Sequence, residues 1–323
     1  MNHEAYMQRC NELAQNGAGN VSPNPMVGAV VVYADKIIGE GYHQLYGEAH
    51  AEVNAIKAVK DKSLLSKATI YVSLEPCAHF GKTPPCSDLI IESKIPNVVI
   101  GCSDPFAQVA GKGIEKLKNA GVSVIVGILE KECLELNKRF FTFHEKKRPY
   151  IILKWAQSQD GFMDKKRTDT CPTINWITEP NTKQLTHKWR SEEDAILIGK
   201  NTVIKDNPEL TTRAVQGNNP IRFVIDKNLK LSLDYKIFNS AAKIIILNEL
   251  KNEENDSILH KKVNFEAFFD DLWSVCAEND IISIIIEGGA FTLNQFIEND
   301  LWDEARVLTG KPFFAEGIKA PKL

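Results

Sequence analysis

The chain has 323 residues, which exceeds the length at which a single hydrophobic core stops growing, so two domains are expected. The formal net charge is only −3 and both signs of charge are interspersed, which excludes the strongly basic surface that nucleic-acid binding requires. No export signal and no apolar run long enough to cross a bilayer are present, and seven scattered cysteines favour reduced thiols. We therefore expect a cytoplasmic protein without nucleic-acid or membrane partners.

Helix-like and strand-like segments alternate through the first half of the sequence. This alternation predicts a sheet with parallel crossovers and helices on both faces, an α/β/α sandwich. The predicted elements, in chain order, are a helix at 4–15, strands at 26–33 and 36–42, a helix at 50–59, a strand at 68–74, a helix after 86, a strand at 97–101, a helix at 113–119 and a strand at 122–126.

One long helix is predicted from about Glu130 to Arg148, where Pro149 stops it, and this places the domain boundary between residues 1–147 and 148–323. The second half alternates again and predicts another α/β domain. Its predicted strands lie at 150–154, 195–198, 221–226, 243–247, 281–287 and 305–308. The sequence ends soon after the last strand. Because a missing terminal strand would expose a sheet edge, we expect a truncated form.

Four residues of the first half form a pattern typical of zinc deaminases. His50 and Glu52 open a predicted helix, and Cys77 follows a strand with Cys86 further along the chain. One imidazole and two thiolates leave the fourth tetrahedral position of zinc to water, which is typical of a catalytic site. Glu52 is not needed as a ligand, so we predict that it moves the proton from water to the departing amine. The pattern therefore predicts hydrolytic deamination of a base.

The spacing of the two cysteines differs from that of cytidine and RNA adenosine deaminases, which place two residues between them. Here eight residues intervene, and they add His79 and Lys82, which suit a substrate with ring carbonyls and a phosphate. An RNA adenosine deaminase would also need a basic rim, which the sequence lacks. The motif is also compatible with a closed zinc site in which His79 is the fourth ligand, and with a non-catalytic zinc-binding interaction protein.

The second half contains four segments with polar or glycine residues beside predicted strands. Among them, Glu287-Gly288-Gly289 separates a buried strand from a helix, where missing side chains let backbone amides approach a phosphate. Arg190 and Arg213 have the planar guanidinium that binds phosphate in a bidentate manner. The four segments span residues 154–161, 175–190, 198–213 and 284–290.

Five segments of the first half together resemble the deaminase half of the RibD family, bifunctional deaminases and reductases of riboflavin biosynthesis. They span residues 22–29, 41–43, 50–52, 75–86 and 102–105. The segments of the second half follow the order of the RibD reductase domain, which is similar in fold to dihydrofolate reductase. The resemblance thus implies a cytidine-deaminase-like sandwich followed by a dihydrofolate-reductase-like domain. Residues 162–172 depart from the family's usual loop because they are longer and more charged.

The resemblance also implies the residues of both sites. Zinc would be held by His50, Cys77 and Cys86, with Glu52 catalytic. The deaminase substrate would contact Asn24, His43, His79, Lys82 and Asp104. The cofactor NADPH would contact Ala156, Trp176, Thr202, Asp206, Gly288 and Gly289. The reductase substrate would contact Lys154, Ile174, Arg190, Leu210, Arg213 and Glu287.

The implied activity has two steps on a phosphorylated pyrimidine. Zinc-dependent deamination of 2,5-diamino-6-(5-phosphoribosylamino)pyrimidin-4-one would give the uracil, and NADPH would then reduce its ribosyl group to ribityl. We also expect a homo-oligomer. The alternative is a deaminase whose second domain is not catalytic and only binds a nucleotide or stabilises an oligomer.

Overall fold

The computed structural model describes residues 2–80, 84–105, 110–167, 174–255 and 257–323, and the chain forms two compact units, residues 1–147 and 148–323. The first unit contains α1 (His3–Gln15), β1 (Gly28–Tyr33), β2 (Lys36–Tyr42), α2 (Ala51–Ala58), a 3₁₀ helix (Lys62–Lys67), β3 (Thr69–Leu74), α3 (Cys86–Glu92), β4 (Asn97–Cys102), α4 (Lys112–Asn119), β5 (Ser123–Val126), α5 (Glu130–Leu136) and α6 (Lys138–Lys146).

The first unit is built on a five-stranded sheet of order β2-β1-β3-β4-β5. Strands β3, β4 and β5 are parallel, as the crossovers predict, whereas β1 is antiparallel to both of its neighbours. Ala34 and Asp35 join β1 to β2 with positive φ values of 48° and 58°, which is the two-residue turn that matches strand twist in a hairpin. All six residues of β3 are buried, so this strand lies at the centre of the core.

The single long helix predicted after residue 130 is wrong, because the chain forms α5 and α6 with a break at Asn137. The Asn137 side chain accepts a hydrogen bond from the Met26 amide at 2.8 Å and donates one to the Met26 carbonyl at 2.9 Å. Asn137 is also buried. An asparagine that pairs with a distant backbone segment in this way competes with helical geometry.

The second unit contains more strands than the sequence predicts. Its elements are β6 (Tyr150–Gln157), β7 (Phe162–Asp164), α7 (Thr182–Glu192), β8 (Ala195–Gly199), α8 (Lys200–Asp206), β9 (Ile221–Ile225), a 3₁₀ helix (Lys236–Phe238), β10 (Ile244–Asn248), β11 (Glu253–Glu254), β12 (Ile258–Lys262), α9 (Phe268–Glu278), β13 (Ser283–Ile286), α10 (Ala290–Glu298), β14 (Glu304–Thr309) and β15 (Ile318–Lys319).

An eight-stranded sheet of order β11-β12-β10-β9-β8-β13-β6-β14 organises the second unit, and β7 pairs separately with β15. Every neighbouring pair in the large sheet is parallel except β11 with β12. Strand β13 lies between β6 and β8, with Ile286 opposite both Leu153 and Leu197. The next residues along these three strands therefore meet at one edge of the sheet, where ligands bind in open α/β sheets. None of the helices in the described part of the chain is long and apolar enough to cross a membrane.

Candidate active sites

His50, Cys77 and Cys86 converge in the first unit from three separate elements. His50 is the N-cap of α2, Cys77 follows β3, and Cys86 is the first residue of α3. The His50 Nδ1 atom lies 3.7 Å from the Cys77 sulfur and 3.3 Å from the Cys86 sulfur. Across the described ranges, these three residues form the one group of candidate ligand atoms within 4.8 Å of one another.

This donor set fits a zinc ion. A sulfur and a nitrogen bound to the same tetrahedral zinc are separated by about 3.5 Å, since the two bonds are about 2.3 and 2.0 Å long. The Cys86 amide, at the positive end of α3, donates a hydrogen bond to the Cys77 sulfur at 3.3 Å. A hydrogen bond from Cys86, together with His50, lowers the pKa of the Cys77 thiol. The thiolate that zinc requires is therefore favoured at Cys77.

Glu52 lies in the first turn of α2, two residues after His50, and is only 3% exposed. Burial raises the pKa of its carboxyl group to about 7, although the nearby His50 opposes the rise. A carboxyl group with a pKa near neutrality can both accept and release a proton at pH 7. The side chain is thus suited to proton transfer beside the three candidate ligands.

The ring of His43 packs edge-on against His50, with 5.4 Å between ring centroids. Its Nδ1 atom lies 3.1 Å from the Ala49 carbonyl oxygen, which can only accept, so Nδ1 carries the proton. Its Nε2 atom then accepts from the Asn24 side-chain amide at 3.1 Å. Because burial lowers the pKa of His43, the ring is neutral and fixes Asn24 near the candidate zinc site.

The structure describes two of the other three residues predicted for the deaminase pocket. His79 is half-buried in the segment after Cys77, and Asp104 is half-buried in the segment after β4. The Asp104 amide donates to the Glu75 carboxylate at 3.3 Å. Lys82 lies outside the described residues.

In the second unit Glu287, Arg190 and Lys154 form an ionic cluster whose side chains are only 10–13% exposed. Glu287 follows β13, Lys154 lies in the neighbouring strand β6, and Arg190 lies in the last turn of α7. Arg190 donates two hydrogen bonds to Glu287, from Nη2 at 2.8 Å and Nε at 3.3 Å, while Lys154 Nζ lies 3.6 Å from the same carboxylate. Burial would raise the pKa of Glu287, but the two cations outweigh it and hold the pKa at about 2.

Arg213 and Leu210 lie on the segment that follows α8. Leu210 is buried and has a φ of 55°, a backbone conformation that is costly for a branched residue and is concentrated at functional sites. The Arg213 amide donates to His187 Nδ1 at 3.1 Å, whereas the Arg213 side chain is 55% exposed. Burial, Arg190 and Arg213 lower the pKa of His187, which is neutral and carries its proton on Nε2. His187 is not among the predicted site residues, although it lies three residues before Arg190 on one face of α7.

The two glycines after β13 lie immediately before helix α10. Gly289 is its N-cap, and a Cβ atom at Gly288 would lie 2.6 Å from the Thr292 Cβ, so a larger residue does not fit there. A Cβ atom at Gly289 would lie 3.9 Å from the Thr202 hydroxyl in α8. The structure therefore brings Thr202 and both glycines together at the N-terminal ends of α8 and α10.

The remaining residues predicted for the reductase site range from half-buried to exposed. Ala156 is half-buried near the end of β6, and Ile174 is 46% exposed. Trp176 is 58% exposed, with Lys183 Nζ 4.2 Å from its ring centroid. The Asp206 carboxylate lies 3.1 Å from Arg167, which also pairs with Asp164 at 2.8 Å.

Two family models match the chain. The cytidine and deoxycytidylate deaminase zinc-binding region matches residues 1–102, and the RibD C-terminal domain matches residues 149–314. The RibD protein of Aquifex aeolicus is 40% identical over 97% of this chain and 88% of its own length. The chain belongs to the RibD family of riboflavin biosynthesis proteins.

Solved RibD structures agree with this assignment. A diaminohydroxyphosphoribosylaminopyrimidine deaminase/5-amino-6-(5-phosphoribosylamino)uracil reductase from Thermotoga maritima is 39% identical, with a TM-score of 0.88 over 98% of this chain and 89% of that chain. RibD from Acinetobacter baumannii gives a TM-score of 0.89 at 31% identity, again over 98% of this chain and 89% of that chain. The predicted fold class, a cytidine-deaminase-like domain followed by a reductase domain, is confirmed, and so is the prediction of a bifunctional enzyme.

Proposed function

We propose that the first unit deaminates 2,5-diamino-6-(5-phosphoribosylamino)pyrimidin-4-one to 5-amino-6-(5-phosphoribosylamino)uracil, and that the second unit reduces the ribosyl group of this product to ribityl with NADPH. The observation that carries the proposal is a buried Glu52 beside three converging zinc-type ligands in a chain of the RibD family. The buried cluster of Glu287, Arg190 and Lys154 supports the second step.

In the deaminase step, His50, Cys77 and Cys86 would hold zinc. When bound, zinc supplies a Lewis acid that activates water for attack on the ring carbon bearing the 2-amino group. Glu52 takes a proton from the attacking water and delivers it to the departing amine, so that ammonia leaves. Asn24, whose amide nitrogen is held by His43, offers its Oδ1 atom to a donor on the pyrimidine ring.

In this proposal His79, Lys82 and Asp104 complete the deaminase pocket. Lys82 and His79 belong to the eight-residue insert between the cysteines, and a lysine and an imidazole there suit a phosphate and ring carbonyls. The backbone amide of Asp104 is held by Glu75, and a carboxylate at this position suits the amino groups of a diaminopyrimidine.

In the reductase step, NADPH supplies the hydride that is delivered to C1 of the opened ribose. Lys154 lies near the ribose, and Glu287 holds Arg190 through its Nε and Nη2 atoms, which leaves Nη1 for the substrate phosphate. The exposed guanidinium of Arg213 is the second phosphate ligand, and Leu210 and Ile174 border the substrate. The cofactor contacts are Ala156, Trp176, Thr202, Asp206, Gly288 and Gly289, of which the two glycines let it approach the N-terminus of α10.

We further propose that the protein acts in the cytoplasm as a homo-oligomer. The cysteines described by the structure are free thiols, as a reducing compartment favours. The edge strand β5 exposes Ile125 and Val126, and exposed apolar edges are commonly covered by another chain. Light scattering of the purified protein measures its oligomeric state.

A coupled assay tests the two activities. The purified chain is given the diaminopyrimidinone phosphate with NADPH, and ammonia release and NADPH oxidation are recorded together. We expect ammonia first and NADPH oxidation only after the deaminated product forms. Ammonia release without NADPH oxidation would contradict the reductase assignment, and neither signal would contradict the whole proposal.

Removal of zinc is expected to separate the two activities. The purified protein should contain about one zinc per chain, because one group of three ligands is present in the described residues. Dialysis against a strong chelator should abolish ammonia release while NADPH oxidation with the deaminated substrate persists. Metal analysis and the two assays check this, with zinc added back as the control. Full ammonia release by the metal-free protein would contradict the zinc assignment.

A further inference from the structure

The Glu75 carboxylate lies between the end of β3 and the N-terminus of α4, where it accepts four backbone hydrogen bonds. Its Oε1 atom accepts from the amides of Gly113 at 3.0 Å and Ile114 at 3.2 Å. Its Oε2 atom accepts from Gly111 at 3.0 Å and from Asp104 at 3.3 Å. The first amides of a helix have no partner within the helix, so a carboxylate satisfies them and complements the positive helix end.

Glu75 is also tied closely to the segment that carries the candidate ligand Cys77. The Glu75 amide donates to the Cys102 carbonyl at 3.0 Å, which extends the pairing of β3 with β4. A Cβ atom at Gly113 would lie 1.9 Å from the Pro76 carbonyl oxygen, so α4 packs directly against the residue between Glu75 and Cys77. The chain entering the zinc site is thus fixed from two sides.

We propose that Glu75 is a positioning residue for the deaminase substrate. It lies two residues before Cys77 and holds the backbone of Asp104, so one buried carboxylate links a zinc ligand to a substrate contact. The inference rests on the proposed function, because Asp104 is a substrate contact only there. Glu75 acts by fixing the distance between these two groups and does not touch the reacting atoms.

Both oxygen atoms of the carboxylate are needed for this role. Four N–H groups point at two oxygen atoms, and Glu75 is only 4% exposed, so water cannot replace a lost acceptor easily. Glutamine has the same size but offers one oxygen, and its NH₂ group would face two N–H donors. The two amides that face the NH₂ group would lose their acceptor. Residue 75 would then no longer hold both the N-terminus of α4 and the backbone of Asp104.

Steady-state kinetics of Glu75→Gln in the full-length zinc-loaded enzyme test the proposal. We expect KM for the diaminopyrimidinone phosphate to rise about tenfold while kcat changes less than about threefold, since a displaced substrate contact weakens binding first. The zinc content should equal that of the wild type, and the kinetics of NADPH oxidation on the deaminated substrate should be unchanged. Glu92→Gln, an exposed glutamate of α3, is the matched control.

Glu75→Asp provides a second measurement, because it keeps both oxygens on a shorter side chain. We expect an intermediate KM with full zinc content, and this variant decides the matter if Glu75→Gln loses zinc or fails to fold. A lowered Tm with KM unchanged in the folded variants would overturn the inference and leave Glu75 a purely structural cap. A wild-type chain that releases no ammonia would overturn the proposed function and this inference together, whereas an active wild type with unchanged variant KM overturns this inference alone.

Discussion

Replacement of Glu52 by Gln is expected to reduce kcat for ammonia release by a factor of about 10²–10⁴, the usual contribution of a positioned acid or base. Glutamine preserves the shape of the side chain but cannot carry a proton between water and the departing amine. NADPH oxidation on the deaminated substrate should be unaffected, because Glu52 belongs to the first unit. The zinc content should also stay constant, since Glu52 is not among the three converging ligands.

The stability of the Glu52→Gln variant gives an independent measurement. Burial raises the pKa of Glu52 to about 7, against an ordinary value of 4.5. The folded state therefore resists ionisation of this carboxyl group, and above pH 4.5 the wild type loses stability that the uncharged glutamine retains. We expect the zinc-free variant to have a higher Tm than the zinc-free wild type at pH 8. Glu92→Gln should change neither Tm nor kcat, and a lower Tm for Glu52→Gln would contradict the raised pKa.

The candidate zinc site is the part of the molecule for which the sequence supports the most specific prediction. His50 opens a helix and Cys77 follows a strand, so the local motif predicts the candidate ligands despite the eight-residue insert before Cys86, and the structure brings their ligand atoms within 4.8 Å of one another. The prediction for Glu52 rests on the same local motif, because its position relative to His50 is fixed by the start of α2. Local motifs of this kind can be predicted because a helix begins within the motif, so the relative positions of its residues depend on the local sequence.

Features that depend on distant pairing could not be read from the sequence. The helix break at Asn137 is set by hydrogen bonds to Met26, which lies 111 residues away. The pairing of Asp206 with Arg167 likewise joins α8 to a segment whose pattern departs from the family. The sequence does not predict strand β12 (Ile258–Lys262), because its two apolar residues are followed by a histidine and two lysines. Its pairing with β10 is seen only in the structure.

Replacement of Glu287 by Gln is expected to destabilise the second unit by about 3–5 kcal/mol, the usual cost of removing one partner from a buried ion pair. Arg190 and Lys154 would lose their shared anion while both stay buried. Burial lowers the pKa of Lys154 and Glu287 opposes that fall, so removal of the carboxylate would lower the pKa of this lysine further. Arg190 cannot release its proton, and its displacement should abolish most NADPH oxidation while ammonia release continues.

The pH dependence of unfolding distinguishes this charge effect from a packing defect. The pKa of Glu287 is about 2 in the folded chain against an ordinary 4.5, so its stabilising contribution is complete above pH 4.5 and disappears as the pH falls toward 2. The difference in unfolding free energy between wild type and Glu287→Gln should therefore shrink as the pH falls from 5 toward 2, because Glu287 takes up a proton in the unfolded chain below about pH 4.5 but stays ionised in the folded chain until about pH 2. Glu266→Gln, at an exposed position, should show no such change. A difference that is constant with pH would mean that Glu287 contributes through packing, and its placement as the charged centre of the reductase site would then be wrong.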